Sequence, residues 1–301
     1  MVRVQVPAST ANLGPGFDCL GMALKLFNIV EMSETNLGLS IEVTGEGKSY
    51  IPRDTTNVVY TCAQQVFKTV GYNPKGLRIR LHNNIPMSRG LGSSAAAIIG
   101  GLVAANVISG GTLNPVQLLR IAIQIEGHPD NVTPALFGGI TVYAHTDEEV
   151  KYLKIDPPSG LKAVVSIPDF TLSTKDAREA LPKQISLEDA VFNIGRTALL
   201  VASLQRGDLN LLSVAMEDRL HQSYRAGLIP GMRKVFAAAR LAGAKGVALS
   251  GAGPTLIALT DKNPDLIAKV MKETFLQSGV TAKSVVLDPS LTGARALEIK
   301  N

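Results

Sequence analysis

Tryptophan is absent from this 301-residue chain, aromatic residues make up only 5% of it, and there are just two cysteines and four histidines. Cys19 and Cys62 are too far apart for a C-x-x-C pair, and His82, His128, His145 and His221 fall at no metal-ligand spacing. That argues against a zinc site and against a disulfide framework. The expected setting is a reducing cytoplasm. Prolines at 7 and 15 interrupt the stretch where an export signal would need an apolar run, so none is expected. Long hydrophobic runs are missing too. Residues 95–108 are the most lipid-like, and as a helix they would span about 21 Å. A bilayer core is roughly 30 Å thick, so no membrane crossing is expected.

The most local absence is of acid. Between Thr55 and Ile125 there is no Asp or Glu, while Lys68, Lys75, Arg78, Arg80, Arg89 and Arg120 give that segment a charge of +6. The remaining chain, 24 basic residues against 25 acidic, nearly balances, so one segment carries the whole excess behind the net +5. An anion site there is the economical reading, and a scatter of solvated side chains is the other. The composition is otherwise that of a folded protein, 46% hydrophobic with 28 glycines and 16 prolines, and its length suits two domains.

Branched residues alternate with polar ones over 2–6, 24–32 and 39–43, which predicts strands. A helix is expected after Asp54, whose carboxylate can cap Thr56 and Asn57, followed by a strand over 77–82, a loop to Gly92, and a helix from Ser93. Another helix is expected from Pro115 behind the cap Asn114, and a strand over 140–145. The breaker cluster at 155–160 places a domain junction, giving units 1–155 and 156–301. Beyond it the pattern predicts a strand over 161–167, several helices, one of them capped by Ser186 with Asp189 three residues on, strands over 246–250 and 255–260, a helix over 264–277 and a strand over 282–287. That is the order of a split βαβ, or ferredoxin-like, unit, and the class is α+β in two parts.

Pro86-Met-Ser-Arg-Gly-Leu-Gly-Ser-Ser-Ala-Ala96 leads from a strand into a helix of small residues. Gly90 and Gly92 allow successive N–H groups to converge on an anion, and the helix adds a positive end at Ser93, a combination suited to a di- or triphosphate. A Walker A loop needs lysine where Ser93 stands. A dinucleotide fingerprint needs an acid about 20 residues later, and none is there. Without that lysine, a triphosphate must be neutralised mainly by a divalent metal and backbone dipoles. Mg²⁺ takes one or two protein oxygens, and Ser94 is placed to give one. The first acid after the loop is Glu126, in Glu126-Gly-His-Pro-Asp-Asn131, with His128, Asp130 and Asn131 close behind on a Gly/Pro turn.

With Pro7-Ala-Ser-Thr-Ala-Asn-Leu-Gly-Pro-Gly-Phe-Asp18, the loop Pro86 to Ala96 and Ser250-Gly-Ala-Gly-Pro-Thr255 in this order, the chain resembles the GHMP kinase superfamily, which comprises galactokinase, homoserine kinase, mevalonate kinase and phosphomevalonate kinase. Asn12 to Asp18 together with Glu126 to Asn131 points to its homoserine kinase branch. The resemblance implies a two-domain fold, ribosomal-S5-domain-2-like and then ferredoxin-like. It implies ATP and Mg²⁺, with the metal on Ser94 and Glu126, and the phosphates wrapped by Pro86, Ser88, Arg89, Gly90, Leu91, Gly92, Ser93, Ser94, Ala95 and Ala96. Asn57 would lie near the adenine. Asn12, Asp18, His128, Thr174, Arg178 and Arg225 would meet L-homoserine, and a turn with Gly251 and Gly253 would close over the site, although a plain hairpin reads equally well there.

A zwitterionic amino-acid alcohol needs a carboxylate for its ammonium and guanidinium for its carboxylate, which Asp18 and the pair Arg178 and Arg225 supply. The reaction would be in-line attack of the hydroxyl on the γ-phosphoryl. Asp130 is the candidate base, and Asn131 and His128 the groups that could orient the hydroxyl without one. A kinase of another small alcohol and a sensor that keeps the fold without catalysis are the alternatives. A nucleic-acid module ranks low, because Tyr60, Phe67 and Tyr72 are the only stacking groups in the basic segment and no dense basic run accompanies them. A homodimer is a further possibility of the resemblance.

Overall fold

The computed structural model describes residues 1–145 and 150–299. The chain opens with an antiparallel pair, β1 (Val2–Ala11) and β2 (Leu20–Glu34). Val2, Val4 and Val6 are buried while Arg3 and Gln5 are half-exposed, the period of two imposed by one covered face. From Val6 onward β1 is buried on both sides, which hides the alternation and explains why the strand outruns its sequence signal. β3 (Gly38–Gly45) and β4 (Gly76–Asn83) pair in parallel through α1 (Val58–Val70), and β4 lies against β2. The N-cap of α1 is Asn57, whose Oδ1 accepts from Val59 N at 2.9 Å. Asp54 sits too far ahead to cap the helix, and its carboxylate instead takes the N–H and hydroxyl of Thr56.

Three helices follow, α2 (Ser93–Ile108), α3 (Pro115–Glu126) and α4 (Pro129–Phe137), then β5 (Ile140–His145) and β6 (Val150–Ile155), paired antiparallel. α2 is apolar all round because it is enclosed by α1, α3, α4, β1 and β2. A Cβ on Gly100 would come within 2.5 Å of Val30, so the close approach of α2 to β2 requires glycine there. Residues 95–108 therefore form a core helix, and among the described residues no helix is long and apolar enough to cross a membrane.

The second half contains β7 (Lys162–Pro168), α5 (Thr174–Glu179), α6 (Leu187–Arg206), α7 (Leu212–Ala215), α8 (Gln222–Arg225) and α9 (Met232–Leu241). It continues with β8 (Gly246–Leu249), β9 (Leu256–Thr260), α10 (Pro264–Gln277) and β10 (Ala282–Leu287). Ser186 caps α6, accepting from Asp189 N at 3.0 Å. The four strands form one antiparallel sheet in the order β10-β7-β9-β8, fourth, first, third and second along the chain, which is the split βαβ arrangement. The chain then returns: β11 (Arg295–Ile299) pairs with β1 and finishes the first sheet, in the order β11-β1-β2-β4-β3 with β5 and β6 branching from β2. Neither β6 nor β11 was expected from the sequence.

Candidate active site

The loop from β4 to α2 holds Ser88, Gly90 and Gly92 at φ of 54°, 78° and 68°, with Arg89 and Leu91 outside the left-handed region. Alternating hands turn successive N–H groups to one side, forming an anion-binding nest. Gly92 is the N-cap of α2, and no side chain caps that end, so the first-turn N–H groups and the positive end of the dipole remain for a ligand. Glycine is needed for space as well as for φ. A Cβ at 90 would overlap the Ser250 carbonyl oxygen, and one at 92 would overlap Ser9 Oγ.

The loop is tied down from behind. Ser250 Oγ donates to Gly90 O at 2.5 Å, Thr255 N to Arg89 O at 3.3 Å, and Ser9 N to Leu91 O at 3.1 Å. The turn with Gly251 and Gly253 joins β8 to β9 and is held against this loop. A cavity of about 150 Å³ opens between them, lined by Pro86, Ser88 to Ser94, Glu126, Asn131, Thr174 and Gly251 to Gly253. Ala95 and Ala96 are fully buried beneath it. A neighbouring, mostly apolar cavity of about 270 Å³ shares Ser88, Ser93 and Ser94 and is walled by Val30, Ile51, Pro52, Val59, Leu81 and Met87. Asn57 lines that cavity too, but both ends of its amide are engaged, on Val59 N and on Pro52 O. Arg89 reaches toward Asp169, Nη2 to Oδ1 3.7 Å.

Ser94 Oγ donates to Glu126 Oε2 at 2.8 Å. Glu126 ends α3, at the negative pole of that helix, and burial pushes its carboxyl above the usual range against the opposing pull of the Ser94 hydrogen bond. Only Gly127 and His128 separate α3 from α4, because Pro129 starts the next helix at the position proline favours. Asp130 and Asn131 therefore stand on a helix end rather than on a turn. Asp130 is 5% exposed, and its carboxyl is pushed up to about 7, chiefly by burial and further by the charges of Asp18 and Glu126, with Arg178 opposing. Asn131 Oδ1 accepts from Ser9 Oγ at 2.9 Å, and its Nδ2 is 3.4 Å from Asp130 Oδ1. Burial, and then the charge of Arg178, lowers the pKa of His128.

The next group of side chains comes from both halves. Asn12, Leu13 and Asp18 hold φ of 71°, 50° and 56°, a cluster of left-handed non-glycine residues of the kind found at ligand sites. Asn12 Oδ1 accepts from Asp18 N and its Nδ2 donates to Gly251 O, both at 3.0 Å. Arg178 Nη2 pairs with Asp18 Oδ1 at 2.7 Å, and among the described residues Arg178 Nε has no hydrogen-bond partner. The guanidinium carbons of Arg178 and Arg225 lie 5.5 and 5.4 Å from the centre of the Phe17 ring. Arg225 is 2% exposed; its Nε donates to Ala177 O at 2.9 Å and its Nη1 to Gly251 O at 3.3 Å. Nη1 also donates to His221 Nδ1 at 3.1 Å, while His221 Nε2–H donates to Gly14 O at 2.8 Å. Burial holds His221 neutral and pushes Arg225 down to about 10, with the charge of Arg178 adding to it.

Residues 57–139 match the GHMP kinases N terminal domain and residues 200–276 the GHMP kinases C terminal. A homoserine kinase of Moorella thermoacetica is 49% identical over 294 residues, 98% of this chain and 99% of that one. The chain belongs to the GHMP kinase family. A homoserine kinase of Symbiobacterium thermophilum is 52% identical over 307 residues, 99% of this chain and 95% of its own length. The crystal structure of the homoserine kinase from Cytophaga hutchinsonii has a TM-score of 0.88 at 32% identity and covers 98% of this chain and 97% of that one. The fold is the two-domain GHMP kinase fold, and ATP is the phosphoryl donor that goes with it.

In this GHMP kinase the Ser94 and Glu126 oxygens suit Mg²⁺. A hydroxyl and a carboxylate beside a phosphate nest are the hard donors that ion takes, and a half-buried carboxylate at a helix C-terminus, partnered only by a hydroxyl, is relieved by a cation. Among the described residues no three His, Cys, Asp or Glu side chains come together as a metal-binding group. Sequence reading did not single out Ser9, Phe17, His221 or Asp218 as site residues. Asp218 accepts from Asn193 Nδ2 and from the N–H groups of Leu220, His221 and Gln222, which fixes the backbone ahead of Arg225. The available signal for His221 was its place four residues before Arg225, one helical turn away in sequence.

Proposed function

We propose that this GHMP kinase transfers the γ-phosphoryl group of ATP to the side-chain hydroxyl of L-homoserine, forming O-phospho-L-homoserine for threonine biosynthesis in the cytoplasm. The observation that carries this is the ion pair of Asp18 and Arg178 over Phe17, with Arg225 beside it, next to the phosphate nest. A zwitterion exchanges with such a pair without leaving a charge bare: its ammonium takes Asp18, and its carboxylate takes Arg178 and Arg225. A sugar or mevalonate offers no ammonium. The names of the relatives support the same substrate.

The triphosphate lies on Ser88 to Ala96 and the adenine in the apolar cavity beside Asn57. Ser94 and Glu126 hold Mg²⁺, which when bound supplies positive charge to the phosphates. Thr174 and Asn12 border the substrate, and Gly251 and Gly253 shape the wall. His128 and Asn131 orient the hydroxyl. As its oxygen bonds to the γ-phosphorus, the bond from that phosphorus to the β,γ-bridging oxygen breaks, ADP leaves, and the hydroxyl proton passes to Asp130. The working units are 1–155 and 156–301, the second lending β11 to the first. Neither nucleic acid nor membrane takes part. Coupled ADP release should be seen with L-homoserine in Mg²⁺ and not with mevalonate, galactose or shikimate; no turnover of homoserine would defeat the proposal.

A further inference from the structure

Phe17 is an aromatic residue outside the core. It is half-buried, follows the turn of Gly14, Pro15 and Gly16, and belongs to neither of the two hydrophobic clusters of the described residues. What its ring meets instead is charge. The guanidinium carbons of Arg178 and Arg225 lie 5.5 and 5.4 Å from its centroid, and the His221 ring is 5.1 Å away at a tilt of 32°. An aromatic face attracts a cation that stands within about 6 Å of its centre.

Two cations gathered on one ring repel each other, and the charge of Arg178 opposes that of Arg225. Phe192 shows how the fold handles the same grouping elsewhere. Arg196 and Arg219 stand 4.2 and 4.1 Å from that ring, and each also pairs with carboxylate, Arg196 with Glu217 and Arg219 with Glu188 and Asp189. At Phe17 Arg178 has such a partner in Asp18, whereas the hydrogen bonds of Arg225 run to two carbonyls and an imidazole. Arg225 is also 2% exposed. A buried charge without a contacting counter-charge is costly, and the negative face of the Phe17 ring offsets part of that cost until an anion arrives.

The ring is held where it is by its neighbours. Gly14 O accepts from His221 Nε2–H at 2.8 Å, and Pro15 O from Thr197 Oγ1 at 3.0 Å. Gly16 N donates to Asn12 O at 3.1 Å and Asp18 N to Asn12 Oδ1 at 3.0 Å, so the backbone is pinned on both sides of Phe17.

We infer that Phe17 is a positioning residue for the substrate carboxylate: its electron-rich face gathers Arg178 and Arg225 against their mutual repulsion, so that one carboxylate can engage both. The inference rests on the reading of L-homoserine as substrate and adds what keeps the receptor for its carboxylate assembled. The ring acts through its face rather than its bulk.

The test varies the face and keeps the shape. Mono-, di- and trifluorinated phenylalanine placed at position 17 withdraw electrons from the ring with little change in size. KM for L-homoserine should climb stepwise along the series, to about tenfold at the last member, while kcat and KM for ATP stay within about twofold. Phe17→Leu, which abolishes the face, should raise KM for L-homoserine at least as far. A flat series, or one in which KM for ATP climbs in parallel, overturns the inference while leaving homoserine as the substrate. A wild type that phosphorylates no homoserine removes the substrate reading and this inference together.

Discussion

Asp130 is a buried acid whose carboxyl is pushed up to about 7 by burial, so it opposes folding wherever it must ionise. A carboxyl raised on folding adds stability below its unfolded value, and that stability is lost as pH rises through the folded one. Asp130→Asn should therefore be more stable to unfolding than the wild type at pH 8, by on the order of a few kcal/mol, with a raised melting temperature, and show no gain at pH 4. The same change should lower kcat about 100-fold and remove the limb of the pH–rate profile near 7, because a general base near neutrality contributes roughly that much. Wild-type turnover in the variant would end the base assignment and leave the hydroxyl to Asn131 and His128. His221 acts one layer out, accepting from Arg225 inside the protein. Removing a buried partner of a charged donor costs about 1–3 kcal/mol. His221→Ala should raise KM for homoserine about tenfold or more and leave KM for ATP unchanged, as initial rates at varied substrate will show.

At the scale of elements, the proposed nucleotide end rests on how α2 begins. Its first turn has no side-chain cap, and its N-cap glycine has both a left-handed φ and Ser9 Oγ where a Cβ would go. Gly92→Ala should lose about 1–2 kcal/mol of stability from φ alone and weaken ATP binding measured by calorimetry at least about tenfold. Glu126→Gln removes a carboxylate that burial already penalises, so its melting temperature should hold at pH 8 while the Mg²⁺ concentration needed for half-maximal turnover rises. An unshifted Mg²⁺ requirement would remove Glu126 from the metal. This end was legible in advance because everything in it is local: a strand, two glycines, two serines and a helix occupy consecutive positions. The six residues from Glu126 to Asn131 were legible as a cluster but not as two helix ends, since Pro129 reads as a breaker until it is seen at the start of α4.

Across the whole molecule, the larger of two hydrophobic clusters joins the halves, with Val4, Leu24 and Leu91 beside Val165, Leu200 and Ile257, while the second packs Val235, Phe236, Met271 and Phe275 of α9 and α10 within the second half. The chain crosses between the sheets twice, at 155–162 and again before β11. Calorimetry should therefore show one cooperative transition. Deleting residues 294–301 should lower it and promote aggregation, because the edge of β1 now paired with β11 would lie open. Two separate transitions, with the first unaffected by the deletion, would contradict this. Periodicity, caps and breakers in the sequence sufficed for the α+β class, the split βαβ order and the glycine-rich loop that leads into α2, since each depends on neighbours within a few positions. Only the tertiary structure decided that Asp18 meets Arg178 across 160 residues, that Asn57 divides its amide between α1 and the Pro52 carbonyl, and that the last strand returns to the first. Local pattern records which face of an element is apolar; which distant charge or strand edge meets it depends on how the packed elements exclude water together.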